Sequence, residues 1–391
     1  MAQTYDVVVI GGGIMGCSSA LHLARRGLNV VIVEKQTVGQ GPTGQSSAII
    51  RTHYSNEVTA RMALHSLRVF QNFEDEVGGD CGFTTAGFVI IVADKDRAGL
   101  EANVALQRRV GINTEMLEPE AFKEMVPGLQ IGDLVAVAHE PESGYADPYS
   151  TVTAYAQAAQ QAGATLMQNT AVTDILFGGG RVKGVRTTQG DLSAPVVLNS
   201  AGAWGAQVAR MANVSAPIDP CRVQVAFFRR PPGHERPHPV IGDFINATYF
   251  RSETGHLTLV GLIDPEEANN IVDPDNFKVG MDDSFLLEAG ERLVRRYPAM
   301  EMSQSTGGYA SLYAITPDWH PIIDEAPESS GFYICSGFSG HGFKLGPAVG
   351  LMIAEMITGS SSPTYDTKMF SLDRFDRGEM VRGQYEYSIV G

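Results

Sequence analysis

The sequence predicts a mixed α/β fold, a parallel sheet flanked by helices with an antiparallel sheet inserted into it. Three observations predict it. A β-branched run, a glycine cluster, an amphipathic stretch and a second β-branched run follow one another within residues 5–34, the order of a βαβ unit and hence of a parallel sheet. From about 217 to 297 the character changes, and strand-like runs alternate with Pro- and Asp-rich loops. The 391 residues also exceed what one compact core usually holds, so two units are expected.

Residues 5–10 read as a buried strand. Residues 15–26 read as a helix with Ala20, Leu21, Leu23 and Ala24 on one side and Gly27 as its stop. A second strand, 29–33, is closed by Glu34. A Gly/Ser/Thr-rich loop over 39–47 precedes helices over 57–76, a strand at 88–92, a helix at 100–110 and a short irregular helix at 117–127. A helix over 148–162 leads to a strand at 165–168. Gly178, Gly179 and Gly180 lie between two β-prone runs, 172–177 and 181–188, and permit a tight hairpin turn. A strand at 196–198 then runs into Ser200-Ala201-Gly202. In the inserted region 224–229 and 256–263 read as strands and 285–296 as a helix; from Gly307 the chain returns to a strand at 331–335, a glycine loop and a helix.

Hydrophobic content of 43% and charged content of 19% are those of ordinary globular proteins. A net charge of -15, from 29 basic and 44 acidic residues, argues against nucleic acid as a partner. A small anionic substrate stays compatible, because one or two buried cations dominate a pocket whatever the global charge. Cys17, Cys81, Cys221 and Cys335 form no C-x-x-C pair, so neither a disulfide framework nor a zinc site is expected, and a reduced, cytoplasmic setting is. The apolar runs at 7–10 and 348–357 are too short to span a membrane, and the first lacks the basic leader of a signal peptide.

Gly11-Gly12-Gly13-Ile14-Met15-Gly16 follows a strand and opens a helix. Gly11 allows the tight turn, Gly13 lets a phosphate approach the backbone, and Gly16 lets helix and strand pack closely. A pyrophosphate would sit on the helix N-terminus, where unpaired N–H groups and the dipole favour anions. Glu34, with Lys35 beside it, stands where a ribose-hydroxyl acceptor belongs. The motif alone does not separate FAD from NAD. Near the other end Gly337, Gly340 and Gly342 leave an open backbone between a strand and the final helix. His53 and His341 are acid/base candidates by residue type.

Several further runs are specific: Gly44-Gln45-Ser46-Ser47-Ala48-Ile49-Ile50-Arg51 with His53-Tyr54, Glu140-Pro141-Glu142-Ser143-Gly144, Ser200-Ala201-Gly202-Ala203-Trp204, Thr316-Pro317-Asp318, and Gly337-Phe338-Ser339-Gly340-His341-Gly342-Phe343-Lys344. On these the chain resembles, over nearly its whole length, the FAD-dependent amine and amino-acid oxidoreductases that include sarcosine oxidase, glycine oxidase and D-amino acid oxidase. The resemblance implies a Rossmann-like FAD-binding domain formed by 1–85, 146–216 and 307–391, with a substrate-binding domain formed by 86–145 and 217–306. It assigns FAD to Gly11, Gly13, Ile14, Met15, Gly16, Glu34, Lys35, Ser46, Ser47, Val172, Ala201, Gly202, Trp204, Gly337, Gly340, His341, Gly342, Phe343 and Lys344. It places Arg51 and Lys344 on the substrate carboxylate and Tyr313 beside the amine, with Tyr54, Tyr249 and Arg251 as further lining residues. His320 reads as structural.

The function so implied is oxidation of a carboxylate-bearing secondary amine, an N-methyl or N-carboxymethyl amino acid, by hydride transfer from the C–H next to nitrogen to the flavin. The imine formed then hydrolyses. Alternatives are a D-amino acid or 2-hydroxy acid dehydrogenase on the same fold, or a flavin-bearing β-type subunit active only with partner subunits. Departures from the resemblance refine this. Ser311 stands where monomeric sarcosine oxidases tether FAD through a cysteine, and Gly44 where they have a histidine, so noncovalent FAD is expected. Residues 256–263 hold no lysine to stabilise developing superoxide, which leaves the electron acceptor open between oxygen and another species.

Overall fold

The computed structural model describes residues 3–327 and 329–383. Its central sheet has six strands in the order Ile322–Glu325, Phe332–Ser336, Val196–Asn199, Val7–Ile10, Val30–Val33 and Thr165–Met167. All but the edge strand Ile322–Glu325 run parallel. Val7–Ile10 and Val30–Val33 are buried throughout, as parallel strands covered on both faces must be. Their alternate side chains divide between two cores: Val7, Val9, Val30 and Ile32 face one, and Val8, Ile10, Val31 and Val33 the other.

The helix Ile14–Ala24 crosses the sheet between the first two strands and packs on the long helix Gly342–Thr358. Small residues permit that contact. A Cβ on Gly346 would lie 2.4 Å from Ile14, and one on Gly350 would lie 2.1 Å from the Ser18 hydroxyl. The long helix stops at Gly359, in the left-handed conformation that favours glycine.

The second large sheet has eight strands in the order Gln304–Ile315, Asp219–Arg229, Leu257–Leu262, Thr248–Glu253, Val240–Asp243, Phe88–Val92, Ala136–Glu140 and Glu115–Leu117. It corrects the expectation of a purely antiparallel sheet at one place, where Phe88–Val92 and Val240–Asp243 pair in parallel. These two strands come from separate segments of the chain, so no hairpin dictates their direction. Gln304–Ile315, Val240–Asp243 and Thr248–Glu253 were not among the expected strands. Gly307, where the sequence puts a domain boundary, and Gly308 lie inside the twelve-residue strand Gln304–Ile315. A Cβ on Gly308 would lie 2.1 Å from the carbonyl oxygen of Val225 on the neighbouring strand.

The boundary expected between 306 and 307 therefore falls within a strand of the large sheet. Drawn by sheet, the proposed cofactor unit takes the central sheet, the proposed substrate unit takes the eight-stranded one, and the boundary moves to after Ile315. Residues 1–2 and 384–391 of the expected cofactor unit lie outside the described residues. Two small sheets complete the fold. The hairpin Val172–Gly178/Arg181–Thr187 turns at Gly179 and Gly180 and pairs onward with Gly190–Ser193 and Gln3–Thr4. A ribbon of two residues per strand joins Ile49–Ile50 to Gly144–Tyr145.

One buried ion pair ties the helix Asp283–Arg296 to the large sheet. The Arg296 guanidinium donates to Asp243 at 2.6 Å and to Asp133 at 2.7 Å, and Arg296 and Asp243 are both fully buried. Removing the cation strands a buried carboxylate, so Arg296→Met is expected to cost about 3–5 kcal/mol. Chemical denaturation of the variant beside the parent measures it. A midpoint shift worth less than about 1 kcal/mol would mean that water reaches Asp243.

Candidate active site

A cavity of about 460 Å³ opens where the parallel strands end. Gly11 turns the chain out of the first strand at a φ of +109°, and a Cβ there would lie 2.6 Å from the Ser200 carbonyl oxygen. Gly16 does not line the cavity. A Cβ on it would lie 2.0 Å from the Gly11 carbonyl, so its part is to seat the helix on the strand, as the sequence predicts. The Ile14 N–H donates to the Thr43 hydroxyl at 3.2 Å. The Glu34 carboxylate accepts from the N–H groups of Gly12, at 2.7 Å, and Gln36, at 2.8 Å, which hold it at the cavity wall.

Of the expected cofactor residues, Gly11, Gly13, Ile14, Met15, Glu34, Lys35, Ser46, Ser47, Val172, Ala201, Gly202, Trp204, Gly337, Gly340, Gly342 and Phe343 line this cavity. His341 and Lys344 line a smaller one beside it. At one mouth of the large cavity Lys35 lies 3.6 Å over the Trp204 ring and 2.8 Å from Asp275, which also accepts from the indole N–H at 2.8 Å. Asp275 comes from a loop of the substrate unit, and no local pattern in the sequence marks it.

The smaller cavity, about 90 Å³, shares Ser46, Ser47, Tyr249, Leu262, Tyr313, Gly340 and Phe343 with the larger. Arg51, Lys344 and His341 supply its nitrogen groups, and Ile49, Phe88, Phe244, Leu262 and Ile263 its apolar wall. Arg51 follows the short ribbon, donates to the His53 carbonyl, and lays its guanidinium 4.6 Å from the Tyr54 ring centre. Lys344, in the first turn of the long helix, is buried, and its ammonium lies 3.4 Å from the His341 carbonyl. Burial first, and Arg51 second, hold its pKa well below the usual lysine range. The His341 ring meets the Trp319 carbonyl at 2.9 Å. Burial, then His320 and Lys344, hold it far below the usual histidine range, so the ring is neutral.

Tyr313 and Tyr249 line both cavities, and each stacks against a glycine. A Cβ on Gly340 would meet the Tyr313 ring at 2.4 Å, and one on Gly261 the Tyr249 ring at 2.3 Å. Gly261, inside the strand-like run 257–263, was thus a readable sign of an approaching side chain. The aromatic walls Phe88 and Phe244, and Val223, Tyr309 and Ser311 beside the large cavity, gave no such sign. Three expectations change. His53 lines neither cavity; its ring lies 3.9 Å from Glu140 and 3.5 Å from the Asn103 amide, and burial, then Arg51, bring its pKa down to about 3. An enclosed ring that lines neither cavity and stays neutral does not support the acid/base expectation. Tyr54 is buried behind Arg51, its hydroxyl 3.5 Å from His341. Arg251 holds the Ser47 carbonyl at 2.7 Å and so braces the wall from behind. His320 is structural, its ring bonded to the Asp318 carbonyl at 2.8 Å. Among the described residues no cysteine lines either cavity, and no helix is long and apolar enough to cross a membrane.

Comparison with known proteins gives the same picture. The family model of FAD dependent oxidoreductases matches residues 6–356. Human mitochondrial sarcosine dehydrogenase is 29% identical over 96% of this chain, which spans 42% of that relative's length. Sarcosine oxidase subunit beta of Rhodobacter capsulatus is 25% identical over 97% of this chain and 90% of its own. The crystal structure of L-proline dehydrogenase from P. horikoshii superposes with a TM-score of 0.89 at 30% identity, covering 97% of this chain and all of that one.

An elongated dinucleotide suits the large cavity, because the glycine turn leaves room at the helix N-terminus and Glu34 offers a carboxylate at the strand end. Gly11→Ala puts a methyl group into the Ser200 carbonyl, and the variant is expected to purify with little flavin. The ratio of visible flavin absorbance to protein absorbance measures this. Flavin content equal to the parent's would contradict the role given to this turn.

Proposed function

The chain belongs to the family of FAD-dependent oxidoreductases, and from that premise we propose that it oxidises a small amino acid carrying a secondary amine. The observation that carries the reading is the pair of cations, Arg51 and Lys344, on one apolar cavity of about 90 Å³ that adjoins the large one. The planar fork of Arg51 matches a carboxylate at two points, and Lys344 adds a compact second charge. Two relatives are named for sarcosine and L-proline, which are both small amino acids with a secondary amine. Bound FAD supplies the acceptor for the hydride that leaves the carbon next to nitrogen.

This chain's own residues bind, orient and dry the substrate. Arg51 and Lys344 fix the carboxylate end. Ile49, Phe88, Phe244, Leu262 and Ile263 exclude water from the other side and fit an N-alkyl group or a pyrrolidine ring. Tyr249 and Tyr313 close the wall between the cavities, where the reacting carbon would lie. The neutral His341 adds no positive charge, which favours the unprotonated amine that oxidation needs. FAD is held without a covalent link in this reading, since Ser311 faces the cavity and the four cysteines are buried elsewhere. The acceptor in this reading is oxygen or another species: Leu262 and Ile263 add no cation to stabilise developing superoxide, while Arg51 and Lys344 stand on the same cavity. The resemblance to a β-subunit keeps a second reading, a flavin-bearing component of a heteromeric enzyme.

A panel of sarcosine, L-proline, D-alanine and L-lactate, assayed with an artificial acceptor, tests the substrate class. Activity on the first two alone is expected; preference for D-alanine or lactate would overturn the reading. Arg51→Met should raise KM roughly 10- to 150-fold, the range for a lost hydrogen bond to a charged group. The pH dependence of binding follows from Lys344. Its depressed pKa means the free enzyme loses this proton at lower pH than an exposed lysine does, while a bound carboxylate favours the ammonium form. Carboxylate binding should therefore take up a proton and weaken as pH rises above the Lys344 pKa. Titrations across pH in the parent and in Lys344→Met measure it, and a slope that survives in the variant would assign the proton elsewhere.

A further inference from the structure

We propose that Glu140 is a positioning residue for Arg51: its buried carboxylate fixes the end of the ribbon that presents the guanidinium to the substrate carboxylate. The inference rests on the carboxylate reading above. Arg51 stands one residue beyond a ribbon of only two residues per strand, with Ile50 opposite Gly144. So short a pair does not hold its own geometry. Glu140 supplies what the ribbon lacks. It ends the strand Ala136–Glu140 of the large sheet, paired there with Phe88. One carboxylate oxygen accepts from the Thr52 N–H at 2.8 Å and from the Ser143 hydroxyl at 2.7 Å. The carboxylate thereby joins the large sheet, the turn at 141–143 and the residue next to Arg51. Gly144 is equally constrained, since a Cβ on it would lie 1.9 Å from the Thr84 carbonyl oxygen. The motif Glu140-Pro141-Glu142-Ser143-Gly144 is thus the other half of the element that carries Arg51.

The charge pattern agrees with the geometry. A carboxylate 2% exposed needs a positive charge within reach. His53, 3.9 Å away, does not supply it, because burial and Arg51 hold its ring neutral at ordinary pH. Arg51 is the cation whose field acts on Glu140. Burial raises the Glu140 pKa, while the Thr52 and Ser143 hydrogen bonds and Arg51 oppose that rise. The guanidinium then lies in the field of Glu140 on the scaffold side and meets the substrate from the cavity, and the first biases the direction in which it meets the second.

The test uses the flavin-loaded enzyme and follows its visible spectrum while acetate is added, with pyrrolidine as a ligand that lacks the carboxylate. Glu140→Gln is expected to weaken acetate about tenfold, leave pyrrolidine binding unchanged and keep kcat within about threefold while KM rises. Arg51→Lys weakens acetate on its own, and the double variant is expected to bind acetate no more weakly than Arg51→Lys, because both substitutions remove the same grip. Additive losses, or an equal loss for pyrrolidine, would overturn the proposal in favour of a general structural role. Weak acetate binding in Arg51→Lys with parental binding in Glu140→Gln would overturn this inference alone. Parental acetate binding in Arg51→Lys would overturn the carboxylate reading and this inference with it. Ser143→Ala removes one bond to the same oxygen and stays testable where Glu140→Gln does not fold. It is expected to weaken acetate about threefold, and parental affinity would count against the proposal.

Discussion

The first turn of the chain admits no side chain, and the rest of the architecture follows from that. Gly11 and Gly16 sit where Cβ atoms would come within 2.6 and 2.0 Å of backbone oxygens. Only with both positions bare can the first helix close onto the first strand, with the Ser200 segment passing beside the turn. The long helix Gly342–Thr358 then seats on the first through Gly346 and Gly350. Two helix N-termini are thereby brought to one cavity, Ile14 at one place and Gly342 at another. An anionic, elongated cofactor is what such an arrangement favours.

The smaller cavity works by the opposite device. There the protein offers cations instead of bared backbone, Lys344 buried and Arg51 half-buried, in apolar surroundings. Burial, and Arg51 after it, disfavour the charge on Lys344, and in the proposed reading an entering carboxylate restores it. In the proposed reading this charge complementarity selects the acid end of a substrate, while Phe88, Phe244 and Ile263 select against polar groups at its far side. The large sheet and the residues that leave its strand ends contribute these walls, Phe88 from a strand and Phe244 and Ile263 from just beyond two others.

Legibility in the sequence followed the range of the interactions. The glycine turn, Glu34 and the hairpin at Gly179-Gly180 were readable because a few adjacent residues determine them. Arg51 and Lys344 were readable through the runs that contain them, whereas composition alone would have left both as surface charges. Gln304–Ile315 was not, because Gly307 and Gly308 accommodate a partner strand some eighty residues away in the chain. Asp275 and Phe244 reach the cavities through long loops and sheet order, which no local pattern encodes. His53 lines neither cavity for a different reason: residue type gives the chemistry of a ring and not the direction it points. Gly261 and Gly340 carried usable information about Tyr249 and Tyr313 that periodicity ignores.

In the proposed function electrons pass from a secondary amino acid to the flavin of this chain. Anaerobic mixing of the purified protein with sarcosine or L-proline, followed in the flavin's visible band, tests it most directly. The account predicts that the band bleaches with a rate that saturates as substrate is raised. A protein that stays yellow with both, yet bleaches with D-alanine or L-lactate, would contradict it.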